Sequence, residues 1–399
     1  MTTKSLDSRF SFISLSDIHL NHPNTPTEDI LDRLNTYVLD PKLLTSIHAI
    51  FIVGDFWDRL VDLENPNSCH IKTWINRFLR TCVKYDLMLF VVEGTFTHDR
   101  HQSRVFITEN ENSNIGANVH FIESVCIKYL PEFNLNLLFV PDDIKPNPDD
   151  VWKLVKLELD KHNLEMVDFA FTHGTYEHHL PPHVHVPRHI NARYESITRY
   201  YILNGHIHIH SINGKIITHG STDRISHGEE GPKGFIKIDL TKADNCNITF
   251  ITNTKAKLYI TIDCRGLSIK DSYAQIAKYA KDVVGTSYRL FIAKNDPIGY
   301  AMRALREMYP QYEWVPPKVE KPKHVNVVEL QNNIKLSTGV TTINVATIID
   351  MASKRIDHKL SNKEKLIKVF PNFNPIFAEE LRQKAMVLLT KVIENGNTK

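Results

Sequence analysis

The sequence predicts an α/β protein in which several strands of the β-sheets end at a common edge. Short apolar runs, which are typical of buried strands, alternate with longer segments whose apolar residues recur at helical spacing. Five of the apolar runs end beside a glycine, an aspartate or a histidine. A chain of 399 residues is also too long for one ordinary core, so we expect two or three units.

Composition narrows the class of protein. The chain is 42% hydrophobic and 24% charged, and it has no apolar run long enough to cross a bilayer, so we expect a globular protein with no membrane partner. The first nine residues lack the apolar segment of a signal peptide, and the five scattered cysteines form no C-x-x-C pair. Both features indicate the cytoplasm. A net charge of +2 does not by itself indicate a nucleic-acid partner.

The first predicted strand, residues 12–16, leads into Asp17-Ile18-His19. Successive side chains of a strand point to opposite faces, so Asp17 and His19 share one face and place a carboxylate beside an imidazole. A polar loop follows, and a helix is predicted to begin at Thr27.

The next three predicted strands end in the same way, with a glycine near the point where the chain turns and a carboxylate or imidazole beside it. They are residues 47–53 before Gly54 and Asp55, residues 87–92 before Gly94 and His98, and residues 167–172 before His173. A helix is predicted over residues 71–85, between the first two of these strands.

The fifth strand, residues 200–203, ends in Asn204-Gly205-His206-Ile207-His208. His206 and His208 lie on one face, and Gly205 allows the backbone to bend just before them. Two imidazoles on one face are good ligands for a transition metal. The alternative is a pair of surface histidines at the end of a strand.

The strand ends together provide a mixed set of carboxylates and imidazoles that is too rich for one tetrahedral zinc. Two metal ions, with Asp55 as the bridging carboxylate, would use the whole set. Nitrogen and oxygen ligands without a thiolate suit manganese, iron or zinc better than calcium or magnesium. The predicted ligands are Asp17, His19, Asp55, His173, His206 and His208.

The order of these motifs resembles that of the calcineurin-like metallophosphoesterases, over about residues 10–240. Within that superfamily, residues 220–235 carry a G-S-x-x-R-x-x-x-G-E block before K-G-F, which resembles the SbcD-type nuclease subunit of the SbcCD double-strand-break repair complex. The resemblance implies a double β-sandwich flanked by helices, with a two-metal site for which Mn²⁺ is the expected ion. It also implies a DNA exonuclease or endonuclease that acts in repair or recombination.

The resemblance assigns further roles. His98 would be the catalytic residue that protonates the leaving oxygen, and the alternative for it is a structural role. The third family motif normally reads G-N-H-D with the Asn on a metal, whereas here Thr97 precedes His98. We expect Thr97 to bind the metal directly, to hold a metal-bound water, or to leave the position empty. The expected substrate-binding residues are Asp58, Arg59, Asp99, Arg100, Ser221 and Arg224.

Three domains are expected: a nuclease domain over residues 1–255, an α+β capping domain over 256–335 and a helical segment over 336–399. The capping domain is predicted to have strands over 258–263, 288–293 and 325–330, with helices over 272–284 and 300–308. The two amphipathic helices of the last segment either pack on their own chain or, as the resemblance implies, dock on an SMC-like ABC ATPase. We also expect a homodimer.

Two other functions stay open at this point. One is a metallophosphatase that acts on a phosphoester other than DNA, and the other is a scaffold without catalysis. Five histidines between residues 178 and 189 also lie near the predicted site, in a loop rich in proline. We expect most of these five side chains to be in solvent.

Overall fold

The apolar runs of the sequence form two six-stranded sheets in a computed structural model of the chain, which describes residues 8–65, 68–142, 147–181, 183–184, 186–279 and 283–320. These residues belong to one compact unit that ends at Glu320. The predicted helical segment over 336–399, its expected docking on an ATPase, and the predicted strand over 325–330 lie outside the described residues.

The first sheet has the strand order β12-β11-β1-β2-β3-β4, and β1 to β4 run parallel to one another. Its elements, with the helices between them, are β1 (Ser8–Leu15), α1 (Thr27–Tyr37), α2 (Pro41–Leu44), β2 (Ala49–Val53), α3 (Cys69–Tyr85), β3 (Met88–Val92), α4 (Phe96–Asp99), α5 (Val105–Asn112), β4 (Asn118–Ile122), β11 (Gly234–Thr241) and β12 (Cys246–Thr252).

The second sheet has the order β5-β6-β7-β8-β10-β9, and its central strands β6, β7, β8 and β10 are parallel. Its elements are β5 (Cys126–Leu130), β6 (Leu135–Val140), α6 (Pro148–Lys161), β7 (Phe169–His173), α7 (Asn191–Ile197), β8 (Ile202–Gly205), β9 (Ser211–Asn213) and β10 (Ile216–Thr218).

The two sheets pack face to face through aromatic side chains. The ring of Phe51 on β2 stacks on that of Phe171 on β7 with 4.0 Å between centroids, and Phe12 on β1 meets Phe169 edge-on at 5.2 Å. The opposite face of the first sheet packs on α1, α3 and α5, and that of the second packs on α6 and α7. The strands are therefore buried on both faces, which explains their continuous apolar sequences. The predicted α/β class is confirmed.

The parallel strands bring their carboxyl ends to one edge of each sheet. Leu15 pairs with Ile52, and Val53 pairs with Val92, so β1, β2 and β3 end side by side. In the second sheet His173 pairs with Gly205, which places the end of β7 beside that of β8. The polar residues that follow these strands are consequently gathered at neighbouring points.

A smaller sheet follows the sandwich and has its own apolar core, built around Ile262, Tyr288 and Trp314. Its strands are β13 (Tyr259–Asp263), β14 (Ser287–Ile292), β15 (Glu313–Trp314) and β16 (Lys318–Val319), and its helices are α8 (Ile269–Tyr279) and α9 (Met302–Met308). This sheet begins just after the boundary expected at residue 256. The division into three domains stays a prediction.

Short 3-10 turns complete the described elements, at Gln102–Arg104, Glu177–His179 and Pro297–Tyr300. In the described part of the chain, every helix is too short or too polar to span a bilayer.

Candidate metal centre

The predicted ligand residues converge at the shared edge of the two sheets. Three overlapping groups of side chains form there, and within each group the ligand atoms all lie within 4.8 Å of one another. The groups overlap at His19 and Asp55, so they form one continuous arrangement that could hold metal ions. We call it the strand-end cluster, and it consists of Asp17, His19, Asp55, His98, His173, His206 and His208.

The backbone is strained at four residues of the strand-end cluster. Asp17, His19, Asp55 and His206 have φ angles of 52°, 49°, 49° and 83°. Positive φ is uncommon for residues other than glycine and costs on the order of 1–3 kcal/mol, so it persists where the surroundings require it. Such strain is concentrated at functional sites, and here it falls on residues that supply ligand atoms.

Two glycines make room for the cluster. A Cβ atom at Gly54, whose φ is 78°, would lie 2.2 Å from His173 Nδ1. A Cβ atom at Gly205 would lie 2.1 Å from Ser16 Oγ and 2.5 Å from the same imidazole nitrogen. All three contacts are too close for any side chain, so these glycines allow β2 and β8 to approach His173.

Hydrogen bonds outside the cluster fix the orientation of its ligands. His173 Nδ1 donates to the carbonyl of Val53 at 2.8 Å, which leaves Nε2 directed at Asp55 Oδ1, 3.3 Å away. Asp17 accepts from the Ser16 hydroxyl at 2.6 Å and from the amide of His206 at 3.1 Å. Partners of this kind set the ring nitrogen or carboxylate oxygen that a ligand presents to a metal.

His208 is oriented by Glu229, a residue that the sequence analysis did not assign to the site. Glu229 Oε1 lies 3.1 Å from His208 Nδ1, and its other oxygen accepts from Lys233 Nζ at 2.9 Å. Burial raises the pKa of Glu229, but the contacts with His208 and Lys233 outweigh it, so the net pKa is well below its usual value. The G-E pair of the block over 220–235 was the available signal.

Asp55 and His173 form a buried pair whose pKa values shift in opposite directions. Burial alone would raise the pKa of Asp55, but the imidazoles of His173, His19 and His98 hold it well below its usual range. Burial alone would lower the pKa of His173, but Asp55 and Asp17 raise it above its usual value. A cation bound at Asp55 would therefore compete with the proton on His173.

The donor set fits a transition-metal ion. The Nε2 atoms of His19 and His208 lie 3.0 Å apart and face the same point as the carboxylate of Asp17. His19 Nδ1 is buried without a hydrogen-bond partner among the described residues, and it is 3.6 Å from Asp58 Oδ1. Imidazole nitrogens and carboxylate oxygens without a thiolate suit manganese, iron or zinc.

The structure places Thr97 away from the ligand atoms, which is the last of the three alternatives given for it. Thr97 lies on the exposed side of α4 and its hydroxyl contacts no residue of the cluster. Thr95 occupies the interior position instead: its hydroxyl lies 3.4 Å from Asp55 Oδ2, 3.2 Å from His206 Nδ1 and 3.1 Å from Asp142 Oδ2.

Asp142 is a second residue that the sequence analysis missed. Its Oδ2 atom lies 3.8 Å from His206 Nδ1, in addition to the contact with Thr95. It follows β6 as Asp17 follows β1, so the apolar run over residues 135–140 was the signal for it.

Three of the expected substrate-binding residues instead make hydrogen bonds to other groups of the protein. Asp99 is fully buried and accepts hydrogen bonds from the backbone amides of Asp55, Trp57 and Gly94 at 2.8–3.1 Å. Burial and the nearby charge of Asp55 raise the pKa of Asp99 to about 7. This side chain is therefore not available to a substrate.

Ser221 and Arg224 are the other two corrections. Ser221 is buried, and its hydroxyl accepts from Lys233 Nζ at 2.7 Å. The guanidinium of Arg224 donates to the backbone carbonyls of Ala256 at 3.2 Å and Gly231 at 3.0 Å. Both side chains make hydrogen bonds within the fold in this structure.

The remaining predicted residues lie around His98. His98 Nδ1 donates to the carbonyl of Asp58 at 2.8 Å, and the His98 ring stands perpendicular to that of His19 with 4.9 Å between centroids. Arg59 has a half-exposed side chain that pairs with Asp58 at 3.3 Å, and Arg100 is exposed. Burial raises the pKa of Asp58. His19, His22 and Arg59 lower it by more than burial raises it, so the net pKa is below its usual value.

The histidines of the loop over 178–189 do not all lie in solvent. His189 is only 7% exposed, and its Nδ1 lies 3.2 Å from the Tyr194 hydroxyl. His179 Nε2 lies 2.8 Å from the Thr218 hydroxyl. Burial lowers the pKa of both histidines to about 4. Apolar packing of the loop on the second sheet was not visible in its proline-rich sequence.

Comparison with known proteins gives similarity in solved structures only. Neither the protein-family models nor the curated proteins match the chain. Among solved structures, the protein TT1561 of Thermus thermophilus is similar over 60% of this chain and 98% of its own length, with 11% identity and a TM-score of 0.35. A second solved structure is similar over the same shares, with 13% identity and a TM-score of 0.36.

Proposed function

We propose that this protein is a metal-dependent phosphodiesterase that cleaves DNA. The observation that carries the proposal is the strand-end cluster, in which seven ionisable side chains from five strand ends converge with a strained backbone and oriented ligand atoms. Imidazole nitrogens of the cluster face one another beside a carboxylate, as His19 Nε2 and His208 Nε2 do at 3.0 Å, and a shared cation fits this arrangement better than a purely structural role does. The two facing sheets and their flanking helices agree with the metallophosphoesterase resemblance of the motifs.

The residues divide into two sets that would each hold a cation. Asp17, His19 and His208 form one set, and Asp55, His173 and His206 form the other, with Asp55 also close to His19 and placed to bridge. Two divalent cations, which we propose are Mn²⁺, would activate water near neutral pH and neutralise phosphoryl oxygens. The carboxylates and the imidazoles would hold these cations, and the hydrogen bonds that orient them would favour binding.

His98 is placed to transfer a proton. Its Nδ1 proton is held by the carbonyl of Asp58, so the protonated ring presents its second proton at Nε2 beside Asp55 and His19. The ring can donate this proton to the leaving oxygen of a cleaved phosphodiester. Arg59 follows Asp58, whose carbonyl accepts from His98, and Arg100 lies two residues after His98. Both arginine side chains reach solvent, and their positive charges favour an anionic substrate.

DNA as the substrate, a role in double-strand-break repair or recombination, an SMC-like ATPase partner and a homodimer are parts of the proposal that rest on the block over 220–235. The smaller sheet that begins at Tyr259 is proposed to be the capping domain. Its position near the cluster is supported by contacts of His227, whose ring nitrogens lie 3.2 Å from the Ser287 hydroxyl and 3.5 Å from that of Thr261.

The test offers the full chain, with Mn²⁺, linear duplex DNA and a small phosphomonoester in parallel. We expect DNA cleavage, and we expect His98→Ala to reduce turnover by about 10²–10⁴ while bound metal and DNA affinity stay unchanged. His101→Ala, which changes an exposed histidine three residues away, is the matched control and should retain turnover. Cleavage of the phosphomonoester alone would refute the DNA nuclease, and metal loss in His98→Ala would make His98 a ligand.

A further inference from the structure

A cavity of about 510 Å³ opens directly beside the strand-end cluster. Asp142 and His206 line the cavity, and the same two residues face the interior of the cluster. Ligand sites for small organic groups are typically about 300–1,000 Å³ and combine apolar walls with a few polar groups. A phosphate held at the cluster would therefore have a cavity of suitable size next to it.

Much of the cavity wall is apolar. Val151 on α6 forms one side, and Leu180, Val186 and Pro187 of the loop after β7 form another. These side chains offer van der Waals contact but no hydrogen bonds, which suits the face of a planar aromatic ring. They do not suit a sugar chain or a second phosphate, because hydroxyl groups and charges would be left without partners.

Two polar residues, Asp142 and His189, are part of the cavity lining. A Cβ atom at the neighbouring Gly174 would be 3.0 Å from His189 Nε2 and 3.5 Å from Asp142 Oδ1, so the missing side chain leaves room beside both atoms. His189 Nδ1 faces the Tyr194 hydroxyl at 3.2 Å, whereas Nε2 makes no hydrogen bond to a described residue. A buried imidazole nitrogen and a carboxylate oxygen are therefore available to the edge of an aromatic heterocycle.

We propose that this cavity receives the nucleobase of the nucleotide that adjoins the phosphate held at the strand-end cluster. The proposal rests on the proposed phosphodiesterase function and adds the part of the substrate that the protein recognises. The apolar walls contact the faces of the base, and Asp142 and His189 contact its edge. A base must leave its stack to enter, so single-stranded or frayed DNA ends are the preferred substrates.

The test compares ligands that differ only in the base. Deoxynucleoside 5′- and 3′-monophosphates and 2-deoxyribose 5-phosphate are titrated into the full chain with Mn²⁺, and dissociation constants are measured by calorimetry. We expect a nucleotide to bind about tenfold more tightly than the sugar phosphate, as burial of one base against apolar side chains allows. Equal affinities for the sugar phosphate and all the nucleotides would overturn the proposal, and this comparison requires no variant.

Variants then locate the binding. Leu180→Trp and Val186→Trp fill the cavity and should remove the advantage of the nucleotide over the sugar phosphate. Leu157→Trp, at a position on α6 that is 61% exposed, is the matched control and should keep that advantage. Thermal unfolding midpoints identify variants that fail to fold. An advantage that survives in both folded cavity variants would contradict the cavity as the base site.

Failure of the cavity and failure of the proposed function give different results. Hydrolysis of bis(4-nitrophenyl) phosphate reports phosphodiesterase chemistry without a nucleobase. If the protein hydrolyses this ester but binds nucleotide and sugar phosphate equally, the cavity proposal fails and the phosphodiesterase stands. If it hydrolyses no phosphodiester yet prefers the nucleotide, and Leu180→Trp removes that preference, the cavity is a nucleotide site and the phosphodiesterase fails.

Discussion

The strand-end cluster and the loop between β10 and β11 are both rich in polar residues, but they use them in opposite ways. In the cluster, imidazole nitrogens and carboxylate oxygens from both sheets face one another. In the loop, which we call the bracing loop and which spans residues 219–233, polar side chains contact the protein's own backbone and each other. Lys233 Nζ donates to the His208 carbonyl at 2.7 Å, to Ser221 Oγ at 2.7 Å and to Glu229 Oε2 at 2.9 Å.

The difference lies in which atoms face one another. An ammonium group has three donors, and Lys233 has an oxygen acceptor for each one while being only 2% exposed. His19, which is also 2% exposed, has its Nε2 atom 3.0 Å from Nε2 of His208 and close to the carboxylate of Asp17. Two imidazole nitrogens that face one point together with a carboxylate suit a shared cation, whereas the oxygen acceptors around Lys233 suit the protein's own ammonium group.

The largest expected effect comes from the centre of the cluster. Asp55→Asn should abolish hydrolysis and lower the manganese bound per chain, because a neutral amide cannot bridge two cations as a carboxylate does. Bound manganese is measured by atomic spectroscopy after gel filtration, and hydrolysis is measured with duplex DNA. Glu230→Gln, which makes the matching carboxylate-to-amide change at an exposed position of the bracing loop, should retain both. Undiminished metal and activity in Asp55→Asn would refute the two-metal assignment and the contrast between the regions.

A smaller effect is expected where the two regions meet. Glu229→Gln removes the carboxylate that orients His208 and compensates Lys233, so manganese affinity should fall about 10- to 100-fold, the usual cost of losing such a partner. Glu230→Gln changes the adjacent, exposed residue and is the matched control. Both variants are titrated with manganese, and the electron paramagnetic resonance signal of the free ion gives the two dissociation constants. Equal constants would show that the bracing loop does not tune the cluster.

Much of the cluster could be predicted because its geometry is local. Asp17 and His19, or His206 and His208, are two residues apart after a strand, and parallel strands bring their ends to one edge regardless of loop details. The direction in which a loop side chain points could not be predicted in this way, because it depends on partners that are distant in the sequence. Asp99 accepts from the amides of Asp55 and Trp57, more than 40 residues earlier in the chain, and no local pattern indicates that contact.

The fold shows the same difference between features that local sequence sets and features that distant contacts set. Continuous apolar runs such as Ala49–Val53 predicted strands buried on both faces, and the strands are found there. The three alternatives for Thr97 were counted back from His98 and could not be separated by local spacing, because the residues Phe96–Asp99 form a helical turn that rotates Thr97 outward. Counting forward from Gly94 leads to Thr95, which remains at the strand end.

The smallest effect, and the sharpest test of that placement, comes from the two threonines. Thr95→Ala removes a hydroxyl that lies within 3.5 Å of Asp55, Asp142 and His206. Its amide, which donates to Asp55 Oδ1 at 2.6 Å, is retained, so the loop should keep its position. Because a hydrogen bond of this kind contributes about 1 kcal/mol, we expect the manganese concentration for half-maximal hydrolysis to rise about fivefold.

Thr97→Ala is the matched control, since it makes the same chemical change two residues away on an exposed position. It should leave the manganese requirement unchanged. Thr95→Asn carries the comparison further, because an amide oxygen is a stronger neutral ligand than a hydroxyl and should lower the manganese requirement below that of the natural chain. A rise in the requirement for Thr97→Ala, with none for Thr95→Ala, would restore the original assignment. It would also show that α4 turns over when metal binds.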